Sequence, residues 1–238
     1  MGARRRARSA VRIAAVPELP DLTDTVRFDD AGLVPVVIQD WSTGEVLTLA
    51  YANAEALRRT RETGELHLWS RSRDELWHKG ATSGNVQKVR ALRIDCDQDA
   101  VLALVEPAGP ACHTGARTCF HPQGAPEGPA ADDWAPDGEG VGALLAPHEV
   151  LPDLVRVLAA RRQSAPEGSY TAQLLNDRAF AGAKVEEEAE EVFRAAREET
   201  DDRVDNEAAD VLYHLLALIQ GRDRTLDDVL EVLRQRRA

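Results

Sequence analysis

The sequence predicts an α+β chain of two domains, a mainly antiparallel β domain followed by an all-helical domain. Short segments rich in β-branched residues alternate with turn signals in the first half, and apolar residues recur at helical spacing after Pro147. Between these regions lies a stretch rich in glycine, proline and acidic residues, which is typical of a linker. We assign residues 1–23 to a disordered basic tail, 24–121 to the β domain, 122–147 to the linker and 148–238 to the helical domain.

The composition excludes several classes of protein. The chain has 238 residues, 43% of them hydrophobic, and a net charge of −12. This length allows two modest domains, and no apolar segment reaches the length of a membrane span. The acidic balance disfavours a general nucleic-acid binder, and we expect neither a nucleic-acid nor a membrane partner. Three cysteines, an odd number, do not form a disulfide framework, so we expect a reducing cytoplasm.

The N-terminal tail begins with arginines at positions 4, 5, 6 and 8. It lacks the apolar core of a secretory signal, and the sequence leaves a transit peptide open as an alternative to a frayed basic extension.

The elements of the β domain follow from strand, turn and cap signals. Residues 33–39 and 46–50 are predicted strands on either side of a hairpin turn. Asn53 is a residue type that caps helices and Gly64 one that ends them, which predicts a helix over residues 54–63. The remaining strands are predicted at residues 66–70, 86–95 and 100–105.

Two segments of the β domain combine cations with hydroxyl groups or glycines, which suits contact with a phosphate. One is SRSR at residues 70–73, and the other is the predicted loop WHKGATSGNVQ at residues 77–87, whose spacing is not that of a Walker loop. Solvated arginines and an ordinary glycine-rich turn remain the alternatives. The candidate substrate-binding residues are Ser70, Arg71, Arg73, Trp77, Lys79, Thr82, Ser83, Gly84 and Asn85.

Three aspartates at alternate positions follow. In an extended segment Asp95, Asp97 and Asp99 lie on one face and Cys96 on the other. Carboxylate oxygens suit Mg²⁺, whereas thiolates suit Zn²⁺. The alternative is a solvated strand face.

All three cysteines, Cys96, Cys112 and Cys119, lie within residues 95–120. A structural zinc normally has four protein ligands, whereas a catalytic zinc leaves one position for water, so three thiolates favour catalysis. His113 is then a candidate general base or an orienter of that water. The alternatives are buried apolar cysteines and a hydrogen-bonded core histidine.

The helical domain is predicted to contain five helical segments. They are expected at residues 149–162, at 169–181 with Ser169 and Thr171 as caps, through the segment at 184–199, at 204–220, and from Thr225 to about residue 236.

Acidic residues in this domain form a candidate magnesium site. At 100° per residue, Lys184, Glu188 and Glu191 form a stripe beside a seam of small apolar residues, with Glu187 nearby. The seam consists of Val185, Ala189, Val192 and Ala196. On the next long helix Glu207 and Asp210 share a face, with His214 one turn beyond. Acid pairs on facing helices suit Mg²⁺, although solvated acidic faces are the alternative.

The motifs DCDQDA, ACHTG and CF, preceded by WHKGATSGN, closely resemble phosphoribosyl-AMP cyclohydrolase of histidine biosynthesis. The resemblance implies zinc at Cys96, Cys112 and Cys119 and magnesium at the three aspartates. It also implies substrate binding by the WHKGATSGN segment and a homodimer whose zinc ligands come from both subunits.

The segments SYTAQLL, Lys184 to Glu191, and EAADVLYH resemble phosphoribosyl-ATP pyrophosphatase, an all-helical family built on EExxE and ExxD. The resemblance implies catalytic magnesium-binding acids, namely Glu187, Glu188, Glu191, Glu207 and Asp210. Glu186 stands where relatives often have glycine before this motif.

The two resemblances imply consecutive hydrolytic reactions, the second and third steps of histidine biosynthesis. The helical domain would convert phosphoribosyl-ATP to phosphoribosyl-AMP and pyrophosphate with Mg²⁺, and the β domain would open the adenine ring with Zn²⁺. A broad nucleoside-triphosphate pyrophosphatase is one alternative. Another is a structural zinc clamp joined to a dimerisation bundle, without enzymatic activity.

Overall fold

The computed structural model describes residues 19–120, 145–164 and 168–237, and the chain divides into two compact units between residues 121 and 122. The described part of the first unit contains a β-sheet and one helix, and that of the second contains helices. The predicted α+β fold class is therefore confirmed. No helix in the described ranges is long and apolar enough to cross a bilayer.

Within the described residues, one six-stranded sheet forms the frame of the first unit. Its strands are β1 (Val34–Asp40), β2 (Val46–Ala52), β3 (His67–Ser70), β4 (Glu75–His78), β5 (Gln87–Ile94) and β6 (Val101–Pro107). They are ordered β4-β3-β2-β1-β6-β5, and only the β1–β6 pair is parallel. The mainly antiparallel character is thus confirmed. β4 was not predicted, and it takes Trp77 out of the expected loop and into a strand.

Helix α1 (Ala54–Thr63) has the predicted bounds because its ends are determined by local chemistry. The side chain of Asn53 accepts a hydrogen bond from the backbone N–H of Ala56. Gly64 adopts a left-handed conformation, φ 69°, and donates its N–H to the carbonyl of Thr60.

Residues 19–23, which the sequence assigned to a disordered tail, belong to the folded unit. Leu19 and Leu22 are buried in the same hydrophobic core as the sheet. Arg61 of α1 donates to the carbonyl of Leu19 and pairs with Asp21 at 3.0 Å. Burial of these two leucines stabilises residues 19–23 against the sheet. The basic composition of the preceding residues gave no indication of this packing. The predicted disorder of residues 1–18 and the arginines in that stretch lie outside the described residues.

The second unit contains α2 (Pro147–Ser164), α3 (Tyr170–Asn176), α4 (Arg178–Glu198), α5 (Asp201–Gly221) and α6 (Leu226–Gln235). The single helix predicted over residues 169–181 was wrong, because the chain leaves helical geometry at Asp177, φ −110° and ψ 100°. The carboxylate of Asp177 accepts from the N–H groups of Ala179 and Phe180 and thereby begins α4. Most of the predicted linker, residues 122–144, lies outside the described ranges.

The buried face of α4 differs from the predicted seam. Ala181, Glu188 and Ala195, seven residues apart, are its buried side chains, whereas Ala189 and Ala196 are exposed. Glu188 of the acidic stripe therefore faces the inside of this unit, where α4 packs along α5. Leucines from α2, α3 and α5 form the apolar core beside it.

Candidate metal and substrate sites

The three aspartates of the β domain come together in a turn and not along a strand. β5 ends at Ile94, and the chain reverses through Gln98, whose φ is 69°, before β6 begins at Val101. The prediction of an extended aspartate row was therefore wrong, because the hairpin must turn within these residues. One carboxylate oxygen from each of Asp95, Asp97 and Asp99 nevertheless lies within 4.8 Å of the others.

Like charges act on Asp99 in this aspartate turn. The charge of Asp97 raises the pKa of Asp99, with burial and Asp95 adding to the effect. Clustered carboxylates that repel one another are stabilised by a divalent cation, and their oxygens are the ligand type that Mg²⁺ prefers. The three side chains are exposed, so an ion from solvent can reach them.

The cysteines are divided between two places. Cys112 and Cys119 lie in one loop after β6, and Cys96 lies in the aspartate turn. Among the described residues no group of three metal-suited ligands combines these cysteines. The hydroxyl of Thr114 donates to the Cys112 sulfur at 3.2 Å, and this bond is the largest cause of the lowered pKa of the Cys112 thiol. His113 is exposed, with Nδ1 3.9 Å from the same sulfur.

A salt-bridge cluster that the sequence did not reveal holds this cysteine loop. Arg117, between the two cysteines, pairs with Asp40 at 2.7 Å and with Glu45 at 2.8 Å. Both acids are buried at the β1–β2 hairpin. Arg117 therefore joins the loop to the sheet, and the only signal in the sequence was two acids flanking a predicted turn.

Two of the predicted substrate-binding side chains make contacts within the protein. Lys79 donates its ammonium to the carbonyl of Ala111 at 2.6 Å, next to the cysteine loop, and burial lowers the pKa of Lys79. Asn85 packs against Gly109, where a Cβ would lie 2.3 Å from the Asn85 Oδ1 atom. Both side chains thus help to join the segment at residues 79–87 to the chain after β6.

The other predicted substrate-binding residues lie in two regions. Thr82, Ser83 and Gly84 are exposed in the turn between β4 and β5. Ser70, Arg71, Arg73 and Trp77 line a cavity beside β2, together with Tyr51 and Trp69. The structure therefore brings the SRSR segment and Trp77 together, as one surface of the sheet.

The helical unit brings acids from two helices together. One carboxylate oxygen each of Glu188, Glu207 and Asp210 lies within 4.8 Å of the others. Glu188 of α4 and Glu207 of α5 are buried, whereas Asp210 is exposed. Three hard oxygen donors that converge at the rim of a helical pair fit a magnesium ion.

Glu187 and Glu191 lie outside this group of three. Glu187 is exposed and accepts from Lys184 at 2.7 Å, and Glu191 pairs with Arg194 at 3.4 Å. Lys184 also lies 3.3 Å from Glu188, so its ammonium bridges neighbouring acids of the EExxE motif.

A buried histidine connects the acid group to α3. The Nδ1 atom of His214 is 2.9 Å from the carbonyl of Asp210 and 3.7 Å from a Glu188 carboxylate oxygen. A carbonyl can only accept, so Nδ1 carries the proton and Nε2 accepts from the Tyr170 hydroxyl at 2.8 Å. Sequence reasoning placed His214 one turn after Asp210 but did not identify Tyr170 as its partner.

Each of the two units thus contains a group of three carboxylates that could hold a metal ion. Residues 48–121 match the family described as Phosphoribosyl-AMP cyclohydrolase, and residues 151–237 match Phosphoribosyl-ATP pyrophosphohydrolase.

Curated relatives match across both domains. The Histidine biosynthesis bifunctional protein HisIE of Bacillus subtilis (strain 168) is 46% identical over 214 residues, which cover 90% of this chain and 95% of the relative. The protein of the same name from Pyrococcus furiosus is 42% identical, with 92% and 99% covered. The chain therefore belongs to the family of bifunctional HisIE proteins, and its two domains are both hydrolase domains.

Proposed function

We propose that this chain performs two consecutive hydrolytic steps of histidine biosynthesis. The helical domain hydrolyses phosphoribosyl-ATP to phosphoribosyl-AMP and pyrophosphate, and the β domain then opens the N1–C6 bond of the adenine ring of phosphoribosyl-AMP. The observation that carries this proposal is that each domain gathers three carboxylates within 4.8 Å at the motif of its own family.

In the helical domain Glu188, Glu207 and Asp210 are the residues that would hold Mg²⁺, with Glu191 and Glu187 on the same helix to complete the acidic face. When bound, Mg²⁺ neutralises charge on the departing pyrophosphate and assists the attacking water. Lys184 lies 3.3 Å from Glu188, where its positive charge attracts the polyphosphate. His214 of α5 lies 3.7 Å from a Glu188 carboxylate oxygen.

In the β domain Cys112 and Cys119 would hold Zn²⁺ together with Cys96, and Asp95, Asp97 and Asp99 would hold Mg²⁺. Zinc in a site with one open position lowers the pKa of its water. His113 is exposed beside Cys112 and accepts the proton of the attacking water. Thr114 stabilises the Cys112 thiolate, which is the form that binds metal.

We propose that two copies of the chain share each zinc site. Cys96 lies in the turn before β6, and Cys112 and Cys119 follow the other end of this seven-residue strand. At about 3.3 Å per residue the strand alone spans roughly 20 Å. Three sulfurs bound at about 2.3 Å to one ion lie only about 4 Å apart. A homodimer, in which Cys96 comes from the partner subunit, removes this conflict.

Product analysis with purified protein tests the proposal. The wild type is given phosphoribosyl-ATP with Mg²⁺ and Zn²⁺, and products are followed over time. We expect phosphoribosyl-AMP to appear before the ring-opened product. Cys112→Ala stalls at phosphoribosyl-AMP, and Glu188→Gln leaves phosphoribosyl-ATP unchanged.

The control for the helical domain is Glu190→Gln, an exposed acid on the same helix that lies outside the acidic group. It should complete both steps at the rate of the wild type. Absence of pyrophosphate release by the wild type contradicts the first step, and ring opening that survives zinc chelation contradicts the second.

A further inference from the structure

A cavity of about 340 Å³ opens on one surface of strands β2, β3 and β4. Its lining includes Tyr51 and Trp69, which are direct cross-strand neighbours, and Trp77. The volume lies at the lower end of the range for ligand pockets and is large enough for a sugar phosphate.

Arg71 at the rim of this cavity is held in place without an acidic partner. Its guanidinium carbon lies 3.7 Å from the centroid of the Tyr51 ring. Within the described part of the chain no carboxylate pairs with Arg71, whereas its neighbour Arg73 pairs with Glu75 at 2.7 Å. The positive charge of Arg71 is therefore uncompensated, and its side chain is exposed to solvent.

Stacking on one face of a guanidinium leaves its N–H groups at the edge free to donate. These donors match two phosphate oxygens in a planar, bidentate arrangement. Ser70 and Ser72 line the same cavity and add hydroxyl donors. The rings of Trp69 and Trp77 provide apolar walls against which a sugar can pack.

We infer that this cavity is the subsite for one phosphate monoester group of the substrate, with Arg71 as the anion receptor and Tyr51 as its positioning residue. This inference rests on the proposed cyclohydrolase function and deepens it, because phosphoribosyl-AMP carries phosphate monoesters at both ends. It also gives Arg71 a role that Arg73 does not share, whereas the sequence alone did not distinguish the two arginines.

Direct binding tests the receptor without turnover. The full-length protein is titrated with ribose 5-phosphate, ribose and inorganic phosphate by calorimetry. We expect ribose 5-phosphate to bind at least about tenfold more tightly than either of the others, since only it engages both the guanidinium and the aromatic walls. If ribose bound as tightly as ribose 5-phosphate, the inference would be overturned. If inorganic phosphate bound as tightly, the aromatic rings would make no contribution to binding, and that part of the inference would be wrong.

Substitutions at Arg71 and Tyr51 test which side chains bind ribose 5-phosphate. Arg71→Gln should weaken ribose 5-phosphate binding about tenfold or more, because it removes a charge-assisted contact. Tyr51→Phe keeps the stacked ring and should bind like the wild type, whereas Tyr51→Leu should lose several-fold. Arg59→Gln is the matched control, since it removes an exposed guanidinium paired with Glu55 on α1. Unchanged affinity in Arg71→Gln contradicts the inference.

Kinetics on phosphoribosyl-AMP separate the two proposals. We expect Arg71→Gln to raise KM about tenfold while kcat changes less, because the contact binds a group that does not react. If the wild type shows no turnover but binds ribose 5-phosphate through Arg71, the cyclohydrolase proposal fails and the subsite stands. If turnover is normal and Arg71→Gln alters neither KM nor binding, the subsite fails alone.

Discussion

At the scale of single residues, Thr114 controls the chemistry of Cys112. Its hydroxyl donates to the sulfur at 3.2 Å and stabilises the thiolate, so the pKa of Cys112 is lowered. Thr114→Val removes this donor, and the pKa of Cys112 should rise. The thiolate fraction at neutral pH then falls, and the pH midpoint for alkylation of Cys112 in metal-free protein, followed by mass spectrometry, should move upward.

Thr118→Val is the control in the same loop. The Thr118 hydroxyl donates to the carbonyls of Val46 and Leu47 and not to a sulfur. Thr118→Val should therefore leave the pH midpoint for alkylation of Cys112 unchanged. Equal midpoints in the wild type and Thr114→Val would show that the hydroxyl does not stabilise the thiolate.

At the scale of elements, Arg117 connects the cysteine loop to the β1–β2 hairpin. Arg117→Met removes the guanidinium that pairs with Asp40 and Glu45, whose side chains are only 6% and 7% exposed. Removal of one partner from a buried ion pair costs about 3–5 kcal/mol. Urea unfolding followed by tryptophan fluorescence should show a loss of this size.

The comparison variant Arg59→Met removes a surface ion pair and should cost less than about 1 kcal/mol. Neutralising the acids as well, in Arg117→Met with Asp40→Asn and Glu45→Gln, should recover part of the stability. A loss for Arg117→Met no larger than that for Arg59→Met would show that the cluster is not a structural connection.

Two helical glycines predict opposite effects of the same substitution. A Cβ at Gly221 of α5 would lie 2.7 Å from the carbonyl oxygen of Leu175, so α3 and α5 approach through this glycine. Gly221→Ala should therefore destabilise the helical domain. At Gly182 of α4 nothing lies within 4 Å, and Gly182→Ala should stabilise by about 0.5–1 kcal/mol through helix propensity. Urea unfolding monitored by circular dichroism checks both signs, and equal signs would contradict the packing argument.

At the scale of the whole molecule, the separated cysteines predict complementation between subunits. Cys96→Ser and Cys112→Ser should each abolish ring opening. In the proposed homodimer, a mixed pair would have one zinc site that combines the intact Cys112 and Cys119 of one chain with the intact Cys96 of the other. After subunit exchange at equal concentrations, half of the dimers are mixed and each has one intact site, so about a quarter of wild-type activity should return.

A mixture of Cys112→Ser with Cys119→Ser is the control, because both changes fall in the same loop and no pairing restores a complete site. Recovery in this control, or no recovery in the first mixture, would contradict a zinc site shared between subunits.

Features with a local cause were predictable from the sequence. The bounds of α1 follow from Asn53 and Gly64, since a cap depends on residues within one turn. The two motif sets identified the family, and the acids Glu188, Glu207 and Asp210 could be paired because helical periodicity places side chains on faces. The metals, the roles of His113 and Glu191, and the domain limits stay predictions.

Features that depend on contacts between distant residues were decided only by the tertiary structure. The aspartates cluster through a turn, α4 buries Glu188 in place of its small apolar seam, and Leu19 joins the core. The contacts of Arg117 with Asp40, of Tyr170 with His214, and of Arg71 with Tyr51 join residues 20 to 77 positions apart. The physical reason is that periodicity determines which face a side chain occupies, whereas its partner depends on how elements pack.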